Sequence, residues 1–176
     1  MNNQVPGRPI FEPTEQNVMS IIKLVWEMEK TTNKSKEEVI KKYTQGMCNT
    51  LSGLIQYFIP ESQVAFMVTF EPNGFEYRAY HFMIKLPKEK DGKDTKEEHF
   101  DYFDINGKIT EDNIKPYCAQ LLNNVTPEEV FIGPGNYGIS KRPPTSDLVI
   151  NKCIELITEY PNVIKNGLAK DGPVRK

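Results

Sequence analysis

The chain has 176 residues, 38% of them hydrophobic, 10% aromatic and 26% charged, a composition that excludes a disordered or collagen-like polymer. That length fits one domain able to bury a core without a metal or disulfide staple. The net charge is −2 and the basic residues are 18 Lys against four Arg (Arg8, Arg78, Arg142 and Arg175), so a broad phosphate-reading surface is not expected and nucleic acid is an unfavoured partner.

Residues 1–12, with Pro6, Gly7 and Pro9, read as an extended arm whose end is tacked down by Ile10 and Phe11. A first helix is predicted over 13–30, where Val18, Ile21, Ile22, Val25 and Trp26 form one stripe. Ser35 and Glu38 have the spacing of a capping box, and Ile40, Tyr43, Met47, Leu51, Leu54 and Phe58 continue at steps of three and four. These predict one uninterrupted helix over 36–58, ended by Pro60, with Gly46 and Gly53 sharing a close-packed face.

From Gln63 the period changes to two. Val64, Phe66, Val68 and Phe70 predict a half-buried strand, and Pro72-Asn73-Gly74 supplies a turn. The return strand, 75–86, switches the face of its apolar residues near Ala79, which predicts a bulge there. Residues 87–98 carry nine charges and read as a solvated loop. A third strand is expected around 99–105, a hairpin turn at Asn106-Gly107 and a short strand at 108–109. A helix over 115–122, a strand-like Val130-Phe131-Ile132, a long loop over 133–146 and a helix over 147–160 complete the order.

The fold class is therefore α+β: an N-terminal helical pair, a central antiparallel meander of three to four strands, and C-terminal helices packing on one face of the sheet. A single domain over 13–168 is expected, followed by a flexible tail over 169–176.

Each chemical motif has a competing plain explanation. Gly133-Pro-Gly-Asn-Tyr-Gly138 matches G-x-G-x-x-G, but Pro143 and Pro144 forbid the helix that a dinucleotide site needs directly after it. Gly133, Gly135, Gly138, Lys141 and Arg142 can instead form a loop for a single phosphate or carboxylate. The two histidines, His81 and His99, lack metal-ligand spacing, so no metal or other cofactor is expected. On the third strand His99 and Asp101 share a face, where a carboxylate can orient an imidazole as an acid–base pair, while Asp104 points the other way. Cys48, Cys118 and Cys153 form no C-x-x-C motif. A cysteine–histidine nucleophile can be assembled in space, but all three cysteines fall inside predicted helices and read as reduced core thiols.

The strongest excess is aromatic, with nine Phe and Tyr residues in the predicted sheet strands alternating between both faces. A partly open face bearing Tyr77, Arg78, Tyr80 and Tyr102 suits a protein partner. The order of elements resembles small bacterial immunity proteins that neutralise toxins, although no motif carries any residue across. The expectation is a non-enzymatic binding protein, an immunity-protein-like neutraliser or adaptor, with a homodimer also open. The alternative is a small enzyme or sensor taking a phosphorylated metabolite or nucleotide at 133–142. Met1–Pro9 lacks the apolar core of a signal peptide and no apolar run approaches the roughly 18 residues of a membrane helix, so the expected setting is cytoplasmic and off the membrane.

Overall fold

The computed structural model describes residues 7–88, 98–122, 125–135 and 147–165. Within them the fold is α+β, five helices packed on a five-stranded antiparallel sheet. No helix among the described residues is long and apolar enough to cross a membrane.

Phe11 is buried, its amide donates to the Phe58 carbonyl at 2.8 Å, and the two rings meet edge to face. Helix α1 (Glu15–Glu29) starts at Thr14, whose hydroxyl accepts the Asn17 amide, and it buries the anticipated stripe from Val18 to Val25. The Ser35–Glu38 capping box is present at the start of α2 (Lys36–Gln45).

The expected single helix over 36–58 is instead two. α2 ends at Gly46 (φ −136°, ψ −39°), and the amides of Gly46 and Met47 both turn back to the Lys42 carbonyl. Helix α3 (Cys48–Phe58) then starts afresh. Glycine is the least committed helical residue after proline, so the chain bends there at little cost. The hydrophobic stripe runs through the bend without changing its period, which is why the sequence pattern conceals it.

Strands β1 (Gln63–Phe70), β2 (Tyr77–Pro87), β3 (Phe100–Asp104), β4 (Gly107–Ile109) and β5 (Phe131–Pro134) form a sheet in the order β4-β3-β2-β1-β5. The register places Thr69 opposite Ala79 and Phe70 opposite Tyr77, leaving Arg78 as the extra residue of the anticipated bulge. β5 adds a strand to the expected meander by pairing with the outer side of β1. Gly135 continues that ladder, its amide donating to the Val64 carbonyl at 2.8 Å. A Cβ on Gly135 would lie 2.6 Å from Val64 Cγ1, so only glycine permits this approach.

Two cores flank the sheet. On one face Val64, Phe82, Ile84 and Phe103 pack with α1, α2, α3 and the C-terminal helix α5 (Leu148–Glu159). On the other, Ala65, Met67, Met83 and Tyr102 pack under α4 (Ile114–Leu121). The helices after the sheet therefore divide between its faces, because the stripe Ile114, Cys118, Ala119 is apolar enough to seal the face opposite α5.

Candidate functional site

The bend before α3 makes Cys48 the first residue of a helix. Met47, at the N-cap, offers no side-chain hydrogen bond, so its side chain caps none of the first amides of α3. A thiol at such an end feels the positive pole of the helix, the usual setting of a reactive cysteine.

Beside it lies His81 on β2. β3 pairs only with Ile84–Pro87, so β2 has no strand partner from β3 at His81 and Phe82. There the Phe82 amide reaches the Cys48 sulfur, as does the Asn49 amide. The His81 ring is fully buried, and its Nε2 lies 3.0 Å from Asp104 Oδ2. A carboxylate only accepts, so Nε2 carries the proton of that hydrogen bond. Nδ1 is buried without a hydrogen-bond partner, and the Cys48 thiol lies near enough to the ring to interact with it.

Asp104, the last residue of β3, is held on every side. Its Oδ1 accepts the Asn106 amide at 2.8 Å, while Oδ2 takes both His81 Nε2 and a hydrogen bond from the Tyr117 hydroxyl. The turn after it is pinned to α1 by Trp26 Nε1, which donates to the Ile105 carbonyl at 2.8 Å. Gly107, with φ +92°, closes the turn in a conformation that favours glycine.

The electrostatics match this arrangement. Burial pushes the Cys48 thiol up, but the His81 imidazole and the Phe82 and Asn49 amides outweigh it and bring the pKa below the ordinary thiol value. Burial acts to lower His81, but Asp104 and Cys48 overcome it and raise the imidazole to about 9. The other two thiols behave oppositely. Burial, with Asp104 nearby, pushes Cys118 up to about 12, and burial, with Glu29 and Asp147, does the same to Cys153. All three cysteines are free and buried, yet only Cys48 is drawn towards its thiolate.

The residues singled out from the sequence scatter. His99 is exposed and pairs with Glu111 at 2.8 Å, while Asp101 sits between Lys88 and Lys108, so these two do not form a pair. Tyr102 is buried beneath α4. Arg78 and Tyr80 are exposed, Tyr80 at 55%, with its ring 5.7 Å from that of Phe66. The Tyr77 side chain lies outside the described residues, as do Gly138, Lys141 and Arg142. Gly133 and Gly135 belong to the β5 edge of the sheet. No group of three His, Cys, Asp or Glu among the described residues is placed to hold a metal ion.

The assembly that sequence reasoning missed is thus Cys48, His81, Asp104 and Tyr117. A signal was present: Gly46-Met-Cys48 at a helix interruption, a histidine on the second strand after it, and an aspartate opening the tight turn that ends at Gly107. Comparison of the chain with protein families, curated protein sequences and solved structures returns no match.

Proposed function

We propose that this protein is a thiol-dependent acyl-transfer enzyme in which Cys48 is the nucleophile, His81 the acid–base residue and Asp104 its orienting partner. One observation carries the reading: a buried imidazole is locked through Nε2 by a carboxylate, its Nδ1 has no hydrogen-bond partner, and a thiol at the start of a helix lies beside the ring. That is the arrangement nucleophilic catalysis requires of its three parts.

In the reaction, His81 Nδ1 takes the Cys48 proton and the thiolate attacks the carbonyl carbon of an ester, thioester or amide. The carbonyl oxygen gains negative charge near the positive end of α3. His81 returns its proton to the leaving group as the bond breaks, leaving an acyl group on sulfur. Water, deprotonated by the same Nδ1, then releases the acid and restores the thiol.

The test is intact-mass and peptide mapping after exposure to activated acyl esters of graded size, with turnover followed in parallel. The expected result is a single acyl adduct on Cys48, absent in Cys48→Ala and much slower to form in His81→Ala. Acylation spread over all three cysteines, or none under any acyl donor, overturns the reading.

A second reading rests on a separate feature. Phe75, Tyr80 and Phe131 are exposed, and Phe70 meets Phe131 edge to face across β1 and β5. Large exposed rings favour a protein-binding surface, as a neutralising or adaptor protein would use. Tyr80→Ala and Phe131→Ala should then abolish partner capture while leaving Cys48 acylation intact.

A further inference from the structure

The Asp104 carboxylate serves more donors than His81 alone. Asn106 Nδ2 donates to Tyr117 Oη at 2.8 Å, and the Tyr117 hydroxyl donates in turn to the Oδ2 that receives His81 Nε2. Donors on one carboxylate oxygen compete, because each stabilises the negative charge that attracts the other. Asn106 polarises the tyrosine hydroxyl and strengthens its donation, as linked hydrogen bonds do.

We propose that Tyr117 is a positioning residue for the Cys48–His81–Asp104 site: the Asn106–Tyr117 relay occupies part of Asp104 Oδ2 and so limits how tightly the carboxylate holds the His81 ring. This rests on the acyl-transfer reading and adds to it a tuning element on the opposite face of the sheet. Its chemical sense is a compromise. A carboxylate pulling harder would stabilise the imidazolium and thiolate together, but the imidazolium would then surrender its proton to the leaving group less readily.

The groups facing this centre come from three elements. His81 faces Asp104 from β3 and Cys48 from α3, and Asp104 also faces Tyr117 and Cys118 from α4. Burial, with the Asp104 carboxylate beside it, holds the Tyr117 hydroxyl protonated far above the ordinary tyrosine range, so it remains a donor throughout. Cys118, up at about 12, stays neutral. Neither changes charge while His81 titrates.

The experiment follows the His81 ring by NMR across pH in Cys48→Ala, where the thiol no longer couples to it, with and without Tyr117→Phe. The chain has two histidines, so His99→Gln assigns the signals. Removing the hydroxyl should move the His81 titration upward by about half a unit or more, a fraction of the roughly one to two units a charge-assisted hydrogen bond is worth on the carboxylate itself. With Cys48 present, Tyr117→Phe should extend thiol alkylation to lower pH while lowering kcat on an activated acyl ester. A tyrosine that merely packs would lower both. Asn106→Ala, which keeps the backbone amide and the tyrosine, should shift His81 in the same direction by less, and it decides the matter if Tyr117→Phe does not fold. A His81 titration that stays put or moves down overturns the proposal. Because the titration needs no substrate, an expected shift without any acyl chemistry would remove the proposed reaction and leave the relay standing. Acyl chemistry without the shift would do the reverse.

Discussion

Two buried polar networks, each with a cysteine in it, show how differently one fold can use the same burial. Between the helices, Glu29 is fully buried yet accepts Lys42 Nζ at 2.7 Å and the Tyr43 hydroxyl at 3.3 Å, with Lys34 3.5 Å away. Lys42 also reaches Asp147, the N-cap of α5, at 3.0 Å. This network ties α1, α2 and α5 with carboxylates and ammonium groups that neutralise each other, and the Cys153 thiol beside it is forced neutral. In the sheet, the network of Asp104, His81 and Tyr117 contains one imidazole, raised to about 9, and the thiol beside it is drawn the other way.

The difference lies in what the networks leave over. The helical one is built of ion pairs, with Glu29 Oε2 lacking a hydrogen bond but lying 3.5 Å from Lys34 Nζ, and such pairs fix the relation of elements more than they add stability. The one in the sheet ends at an imidazole nitrogen with no standard partner and a sulfur at a helix start. Burial of polar groups is by itself no sign of chemistry. An unclosed end next to a nucleophile is.

The sharpest way to break this contrast is to let one reagent choose among the thiols. Iodoacetamide at pH 7 should label Cys48 faster than Cys153 or Cys118 by on the order of a thousandfold, since a thiol at about 12 is almost wholly protonated there. Quantitative peptide mapping reads the ratio. Equal labelling would mean that the two networks act on their thiols alike.

Glu29→Gln tests the helical network from its centre. It leaves Lys42 with Asp147 as its only carboxylate and should cost roughly 3 kcal/mol in denaturant melts, towards the lower end for breaking a buried pair because Lys42 keeps some contact with water. The pH profile of Cys48 alkylation should not move. Asp147 adds a pH signature: burial works against it, but the Ile150 amide and Lys42 hold its carboxyl below the ordinary range. Its contribution is therefore full above that range and lost as pH falls through the depressed value. Burial pulls Lys42 down, but Glu29 and Asp147 raise it, and its contribution is lost as pH rises, so Glu29→Gln should weaken the alkaline limb of stability as well.

Much of this fold could be read from the sequence, and the reasons the site could not are physical. Alternation in Val64–Phe70 marked β1 as a strand but not its burial, since Ala65, Met67 and Thr69 on the other face are buried while Phe70 is exposed, and Ser35 with Glu38 specified the start of α2. Those signals are local. Cys48, His81 and Asp104 lie on three elements brought together only by sheet pairing and by the seating of α3. His81 sits between Tyr80 and Phe82 and so reads as a core residue. His99 and Asp101 share strand parity, but His99 precedes the first residue of β3 and turns to Glu111. The aromatic face was partly legible: Tyr80 is uncovered, as is Phe131, which the strand pattern did not single out, whereas Tyr102 disappears under α4.

His81→Ala should lower Cys48 alkylation at pH 6.5 by about tenfold or more, because burial, the largest influence on that thiol, is then opposed only by two amides. Stability gains a matching signature. A histidine whose value is raised to about 9 stabilises the fold fully below its unfolded value near 6.5, and loses that contribution as pH rises through about 9. The difference in melting temperature between wild type and His81→Ala should accordingly shrink between those limits. A constant difference would mean that the imidazole is neutral in the fold and acts through packing alone.

Gly46→Ala carries the smallest expected effect and the most specific lesson. A Cβ there would meet only the Lys42 carbonyl at 3.7 Å, an ordinary contact, so the substitution fits sterically. Alanine favours a continuing helix over glycine by about 1 kcal/mol, which pushes the junction towards the uninterrupted helix that the hydrophobic stripe suggests. If the glycine sets the bend, thermal stability should hold while Cys48 alkylation at neutral pH drops a few-fold, as the thiol loses its place at a helix start. If alkylation is unchanged, the bend belongs to the packing of Leu51, Leu54, Ile55 and Phe58 against the sheet, which would overrule local preference. The thiol's reactivity would then be a property of the tertiary fold and not of one residue, a distinction that the unbroken apolar pattern from Ile40 to Phe58 cannot itself make.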